Sequence, residues 1–227
     1  MEPATHPSSV ETAPRDLSSE EQSYYTVNRA EWAWFSRYYD AVTRPLRQLR
    51  GEVVAAVAAP PGSRILDVAT GTGEQALAFA PGASEVIGLD MSEAMLAIAR
   101  RKERPPNVDF VLGDAAQLPF PAGRFDVACI SFALHEMPPS IRDQVVREMA
   151  RVTRHGGTLA IVDYALPPGR IVRSIIPRLI GLYERPYYAA FVRSDLPALL
   201  EGAGVAVRSD RRAFWGNARI LVGDKVA

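Results

Sequence analysis

The chain has one cysteine, Cys129, and three histidines among its 227 residues. A lone thiol excludes an intramolecular disulfide and any thiolate-built metal cluster, so a reducing cytoplasm is the expected compartment and no metal site is expected. No apolar run approaches the ~18 residues needed to span a bilayer. The first residues, MEPATHPSSVETAPRDLSSEEQ, have neither a basic start nor a hydrophobic stretch, and are not expected to act as a secretory signal. No sign of charge dominates, since 26 Lys and Arg stand against 26 Asp and Glu. That balance argues against a protein that grips the phosphates of a nucleic acid. The partner to look for is a small molecule.

What the chain does contain is apolar material, 48% of its residues, ample for a globular core in a single domain. Residues 1–22 are the exception. Rich in Pro, Ser, Thr and Glu, they read as a disordered tail. Residues 23–227 then form the domain. Its start is crowded with aromatics, Tyr24, Tyr25, Trp32, Trp34, Phe35, Tyr38 and Tyr39, which need a surface to cover. A helical segment over about 24–58 is expected to dock on the body, either as plain packing or as a lid over a pocket. Its last helix, from Arg47, stops at Pro60-Pro61-Gly62.

From residue 63 strands and helices alternate. SRILDVA (63–69), SEVIGLD (84–90), VDFVL (108–112), FDVACIS (125–131) and TLAIVDY (158–164) read as strands. Helical segments lie at 73–80, after the Ser92 cap, and from Ile141 to Thr153, the last ending at His155-Gly156-Gly157. VAVRS (205–209) and AFWGNARILV (213–222) are close enough to pair antiparallel. The pattern predicts an α/β doubly wound sheet of seven strands. It should be mostly parallel, with an antiparallel C-terminal strand and helices on both faces. In such sheets ligands bind beyond the carboxyl ends of the strands, where the strand order reverses.

The first strand runs into Asp67-Val68-Ala69-Thr70-Gly71-Thr72-Gly73-Glu74. Glycines at 71 and 73 allow a sharp turn and a close ligand approach. Gly71 to Ala76 also fits the dinucleotide pattern G-x-G-x-x-G/A, which keeps an NAD(P)-dependent oxidoreductase open as an alternative. Two carboxylates bear on the choice. Asp90 ends the second strand, 17 residues after Gly73, where it could accept from both hydroxyls of a ribose in either ligand class. Asp67, just ahead of the turn, would repel a pyrophosphate and attract an ammonium. A ligand with a cationic end and an adenosyl end satisfies both.

DVATGTGE resembles the first motif of the class I S-adenosylmethionine-dependent methyltransferases. VIGLDMSEAML (86–96), VDFVLGDAAQLPFP (108–121) and FDVACISFALHEMP (125–138) fall where that family's next three motifs fall. Within it, TGTG, GDAAQLPF and Tyr38-Tyr39-Asp40 make the chain most similar to the ubiquinone and menaquinone C-methyltransferases. Ala69 departs from the glycine of many members. The resemblance implies a Rossmann-like fold and S-adenosyl-L-methionine as cofactor, with S-adenosyl-L-homocysteine as product. It implies that Asp67 and the backbone of Ala69, Thr70, Gly71 and Gly73 hold the methionine moiety. Asp90 would hold the ribose, Met91 would lie against adenine, and Asp114 and Ala115 would bond the base. Ser131 would line the methionine side, and Tyr39 would lie nearest the cofactor.

For the acceptor, a small aromatic or hydrophobic molecule such as a quinol methylated on carbon, a base is required. His135 follows the fourth strand at the pocket mouth, with Glu136 beside it, and an unperturbed imidazole titrates near neutrality. Its competing role is a plain loop hydrogen bond. Tyr164 and Tyr183 are candidate acceptor-lining residues. A cap insertion over about 165–195 should cover the acceptor. Within it, 171–185 has one apolar helical face flanked by arginines, expected to bury over the site or, as the second reading, to lie on an anionic membrane. A non-catalytic protein that keeps the cofactor pocket is the third functional reading.

Overall fold

In the computed structural model the described residues are 16–165 and 187–226. The N-terminal helix α1 (Ser19–Thr43) opens on a capping box in which Ser18 and Glu21 satisfy one another's backbone donors. The helix therefore begins inside the stretch read as tail, because Ser18-x-x-Glu21 is a helix start. A single 3-10 turn leads to α2 (Arg47–Val57), which stops where Ala58 takes a left-handed conformation ahead of the two prolines.

Then follow β1 (Ser63–Val68), α3 (Glu74–Phe79), β2 (Ala83–Asp90), α4 (Glu93–Arg101), β3 (Val108–Leu112), β4 (Phe125–Ser131), α5 (Pro139–Val152) and β5 (Thr153–Tyr164). Beyond residue 186 come the one-turn helix α6 (Tyr188–Phe191), α7 (Leu196–Gly202), β6 (Val205–Ala213) and β7 (Ala218–Lys225). One seven-stranded sheet has the order β3-β2-β1-β4-β5-β7-β6. All pairs from β3 to β5 are parallel, and β7 runs against both β5 and β6. This is the doubly wound sheet expected from the alternation of strands and helices.

Two boundaries differ from the sequence reading. β5 begins at Thr153, because residues 153–157 return along β4, with Thr153 paired to Phe125, before the register resumes at Thr158. The β6–β7 turn falls inside the run read as one strand, at Phe214–Asn217, where Phe214, Trp215 and Gly216 all have positive φ. Consecutive positive φ angles turn the chain back on itself, and β7 begins only at Ala218.

Strand side chains alternate between two cores. Leu66, Ile87, Ala128, Ile130 and Leu159 pack with α5 and α7, whereas Ile65, Val86, Val127, Cys129 and Ala160 pack with α2, α3 and α4. Strands covered on both faces carry almost no polar residue in mid-run, which explains their near-continuous hydrophobicity. The polar exceptions collect at the strand ends. At the amino end Asp126 accepts from the Arg64 N–H (2.8 Å) and from Arg154 (2.6 Å), a surface clasp far from the glycine turn. At the carboxyl end lie Asp67, Asp90 and Asp163, all buried.

Candidate active site

β1 pairs with β2 on one side and β4 on the other, so the chain leaves β1 at the point where the strand order reverses. The turn there is built around the two carboxyl groups. Asp67, 1% exposed, accepts from the Thr70 hydroxyl (2.5 Å), and Asp90 accepts from the Gly71 N–H (2.8 Å) and the Ser92 N–H (2.8 Å). Gly73, at φ +82°, begins α3, and a Cβ there would lie 2.4 Å from the Phe110 ring. Gly71, at φ +56°, is open on its ligand side, where its nearest neighbour is the Tyr39 ring at 3.8 Å. One glycine serves packing and the other leaves room.

Burial governs the electrostatics. Removal from water pushes the Asp67 carboxyl up to about 7, against the relief given by the Thr70 hydroxyl and the Ala76 N–H. The same desolvation raises Asp90, opposed by backbone N–H groups of Ser92, Gly71 and Met91. Asp67 is therefore not a fixed anion in the ligand-free protein, as the sequence argument took it to be. A bound ammonium would draw the proton off it.

Two cavities meet at this turn. The larger, a partly open cleft of about 670 Å³ that includes space continuous with solvent, is bordered by Asp90, Met91, Asp114 and Ala115 together with Tyr24, Glu136 and Met137. The second, about 480 Å³, is bordered by Arg50, Asp67, Thr70, Glu74 and Gln75. Tyr39, Ala69, Ser131 and Phe132 border both and form the neck between them. Ala69 (φ +53°) and Phe132 (φ +52°) hold left-handed backbone at that neck. Residues with a Cβ adopt it only where the surroundings impose it, and such strain concentrates at functional sites. Burial pushes the Tyr39 phenol up to about 12, so it stays a neutral hydroxyl.

α1 is fastened across the strand ends by polar contacts. The Tyr25 hydroxyl donates to Asp114 Oδ2 (2.9 Å), whose other oxygen accepts from the Ala116 N–H (2.9 Å). The Thr72 hydroxyl donates to Asp40 (2.5 Å), and Lys102 bridges Asp40 (2.8 Å) and Glu74 (2.6 Å). Tyr24 and Tyr39 thereby face the cavities.

His135 sits on a short turn after β4 and is 4% exposed. Its Nδ1 lies 2.8 Å from Asp163 Oδ1, and its Nε2 lies 3.8 Å from Glu136 Oε1. Tyr164, Tyr188 and Phe191 surround the ring edge-on. The buried Arg142 donates to the Leu134 and Met137 carbonyls, which pins this turn. His135 borders neither cavity itself; its neighbour Glu136 borders the larger one.

Of the residues expected at the site, Tyr39, Asp67, Ala69, Thr70, Gly71, Asp90, Met91, Asp114, Ala115 and Ser131 all border one cavity or both. Gly73 borders neither and packs against Phe110 instead. Tyr164 lies against His135 and Phe132. Tyr183 and the 171–185 helical face lie outside the described residues. The sequence reading missed Tyr24, Arg50, Gln75, Phe132 and Asp163. Only Asp163 carried a signal, an acid at the end of the apolar run TLAIVDY.

A doubly wound sheet with one antiparallel strand, and acids closing its first two strands around a glycine turn, is the arrangement that the resemblance to the class I S-adenosylmethionine-dependent methyltransferases implies. Residues 65–157 match the family described as a methyltransferase domain. The chain is 38% identical to the demethylmenaquinone methyltransferase of Thermus thermophilus, covering 71% of this chain and 82% of that one, and it belongs to this methyltransferase family. It is 41% identical to the demethylmenaquinone methyltransferase of Renibacterium salmoninarum over 53% of this chain, and spans about half of that relative's length (49%). The magnesium protoporphyrin IX methyltransferase of Synechocystis, solved with bound S-adenosylhomocysteine, shares the fold at a TM-score of 0.66. That match has 19% identity and covers 89% of this chain and 99% of that one.

Proposed function

We propose that the protein transfers a methyl group from S-adenosylmethionine to a small aromatic or hydrophobic acceptor, a quinol carbon being the leading candidate. The observation that carries this reading is the pair of buried acids, Asp67 and Asp90, one bordering each of two joined cavities. The Gly71 and Ser92 N–H groups donate to different oxygens of Asp90, and a carboxylate has about four acceptor positions, which leaves capacity for a ribose hydroxyl. Met91 offers an apolar face for adenine, with Asp114 and Ala115 as its polar partners. Asp67 would receive the ammonium, and Gly71 leaves room that a Cβ would fill. When bound, the cofactor supplies an already activated methyl on sulfur, whose bond electrons return to the sulfur as the methyl leaves.

The chain's own work is orientation, exclusion of water and proton removal. Holding two reactants in line can supply ~7–11 kcal/mol of a barrier. The neck residues Tyr39 and Phe132 narrow the route between the cavities, and α1 acts as a lid held by a few part-buried polar contacts. A helix held by few contacts can open locally without unfolding the sheet. His135 takes the acceptor's hydroxyl proton together with Glu136, the member of the pair that borders the cavity. Asp163 accepts from Nδ1, which leaves the neutral ring's lone pair on Nε2, the atom nearest Glu136. The buried thiol of Cys129 suits a reducing compartment, and we place the enzyme in the cytoplasm. Among the described residues no helix is long and apolar enough to cross a membrane.

Mass-spectrometric screening of quinols, phenols and amines with S-adenosylmethionine tests the reaction. A mass gain of one methyl on a quinol supports it. Calorimetric binding of NADH with none of S-adenosylhomocysteine would refute it in favour of an oxidoreductase, and cofactor binding without turnover on any acceptor would leave a binding protein.

A further inference from the structure

The β6–β7 turn carries a side chain that the fold does not use. Trp215 is 86% exposed, the highest value among the described large hydrophobic residues. It stands at φ +54° and follows Phe214 at φ +48°. Glycine or asparagine takes left-handed backbone at a hairpin turn with little strain, whereas a bulky residue with a Cβ does not. Those residues would serve the turn better; what Phe214 and Trp215 give it is an indole held in the open. Phe214 is half-buried, packs with Leu46 against the same core, and lies 4.8 Å from the indole between ring centroids, so it buttresses the exposed ring. The turn sits at the carboxyl end of β5, where the Ala165 N–H donates to the Asn217 carbonyl (2.9 Å). That is the edge of the sheet that holds the site.

Positive charge gathers at the same corner. Arg208 donates to the Val57 carbonyl (3.2 Å) and Arg211 to the Glu52 carbonyl (2.7 Å), so β6 and α2 run antiparallel and the turn comes level with the start of α2. That start reads Arg44-Pro45-Leu46-Arg47, with both arginines exposed. Arg47 is the first residue of α2, where the helix dipole disfavours a cation. The neighbouring acids are already matched, Glu52 by Arg211 and Asp210 by Arg219. Among the described residues Arg44 and Arg47 have no acidic partner. A single exposed indole is too small for a stable protein interface, which takes ~800 Å² from each partner. Tryptophan beside unmatched arginines suits the headgroup level of an anionic bilayer. We infer that Trp215, Arg44 and Arg47 dock the enzyme on an anionic lipid surface, with the edge that holds the site turned towards the lipid. The docking stands apart from the proposed reaction; only its use, drawing a hydrophobic acceptor out of the lipid, rests on that reading.

Co-sedimentation of the full chain with vesicles, in the absence of acceptor, tests this. Vesicles of equal parts phosphatidylcholine and phosphatidylglycerol should bind it at low salt, phosphatidylcholine alone should not, and high salt should weaken the binding. Arg44→Gln and Arg47→Gln should each lower the partition about fivefold, the scale of one basic side chain near an anionic surface. Trp215→Asn should lower it about tenfold or more, because the apolar area of the indole is lost from the bilayer. Asparagine tolerates the left-handed backbone, so this variant should melt no lower than wild type and its loss of binding is not misfolding. Methylation of a long-tailed quinol presented in the vesicles should fall with the partition, whereas that of a water-soluble quinol should not change. Equal binding to neutral and anionic vesicles, binding to neither, or binding that all three variants leave unchanged overturns the docking site. So does a wild-type dimer that Trp215→Asn converts to a monomer, which would make the turn a contact between copies of the chain. Vesicle binding as described, with no quinol methylated, overturns the acceptor reading and leaves the docking site standing.

Discussion

The protonation of Asp67 should be visible in the stability of the ligand-free protein. The carboxyl is 1% exposed, and burial raises it from 3.8 to about 7. In the unfolded chain the group ionises near 3.8; in the folded chain it keeps its proton until about 7. Between those values the unfolded state has released a proton that the folded state still binds, so stability falls as pH rises. The contribution is complete below the unfolded value and lost as pH passes the folded one. Each unit of separation is worth ~1.4 kcal/mol, so a gap of about three units amounts to a loss on the order of 4 kcal/mol between about pH 4 and pH 7. Urea unfolding of the wild type and of Asp67→Asn, at half-unit steps from pH 4 to 8, isolates this group. The amide keeps an oxygen for Thr70 and does not titrate in this range. The wild-type stability minus that of the variant should decline across the window and flatten above it. Saturating S-adenosylhomocysteine, whose ammonium favours the ionised acid, should remove most of the decline. Its affinity should rise towards pH 7, with proton uptake by the buffer on binding. A difference curve that is flat, or that rises with pH, would refute the assignment of a raised acid at this position.

Three further outcomes are expected. Asp90→Ala should weaken S-adenosylhomocysteine binding by ~1.5–3 kcal/mol in calorimetry, the scale of hydrogen bonds to a charged acceptor, and an unchanged affinity would count against the larger cavity as the ribose site. Gly73→Ala should destabilise the fold by roughly 2–4 kcal/mol in urea melts, because the new methyl meets Phe110 at 2.4 Å and the backbone is left-handed. Shortening Phe110 to Leu in the same chain should recover part of that loss. His135→Ala should lower turnover ~100-fold or more while cofactor affinity stays put, and Asp163→Asn should lower turnover and move the alkaline and acid limbs of the rate profile. A parallel loss of affinity and rate in both variants would reduce His135 to a buttress of its turn.

The architecture was legible because each element announces itself locally. β-branched runs bounded by glycines and prolines mark the strands, Ser92 caps α4 as read, and VDFVL and FDVACIS are the strands β3 and β4 to the residue. The start of α1 was misplaced because composition was weighed over a long window, whereas a capping box is a four-residue signal. The antiparallel pairing of 205–209 with 213–222 was read correctly, but the position of its turn was hidden for a related reason. Phe214 and Trp215 are strand-forming residues by propensity, and only their positive φ angles, imposed by the turn, take them out of the sheet.

Site residues divide by how they act. Gly71, Asp90 and Asp114, which lie in the glycine turn or just beyond a strand end, could be placed at the cavity from sequence, because the strand that carries each fixes its position. Those that act through a tertiary meeting could not. Arg50 on α2 and Gln75 on α3 come to border one cavity although 24 residues separate Arg50 from Glu74, its ion-pair partner. His135 and Asp163, separated by 28 residues, meet only because β4 and β5 are neighbours. The charge state of Asp67 belongs to the same class. Residue type alone suggests an anion that picks out cations, yet a carboxyl this deeply buried is not reliably ionised near neutral pH. Its selectivity must then work through linkage: a ligand that brings an ammonium stabilises the ionised form, whereas one that brings a phosphate leaves the acid protonated and gains nothing from it. On the proposed function, the same side chain would discriminate between the two ligand classes without standing as a permanent charge.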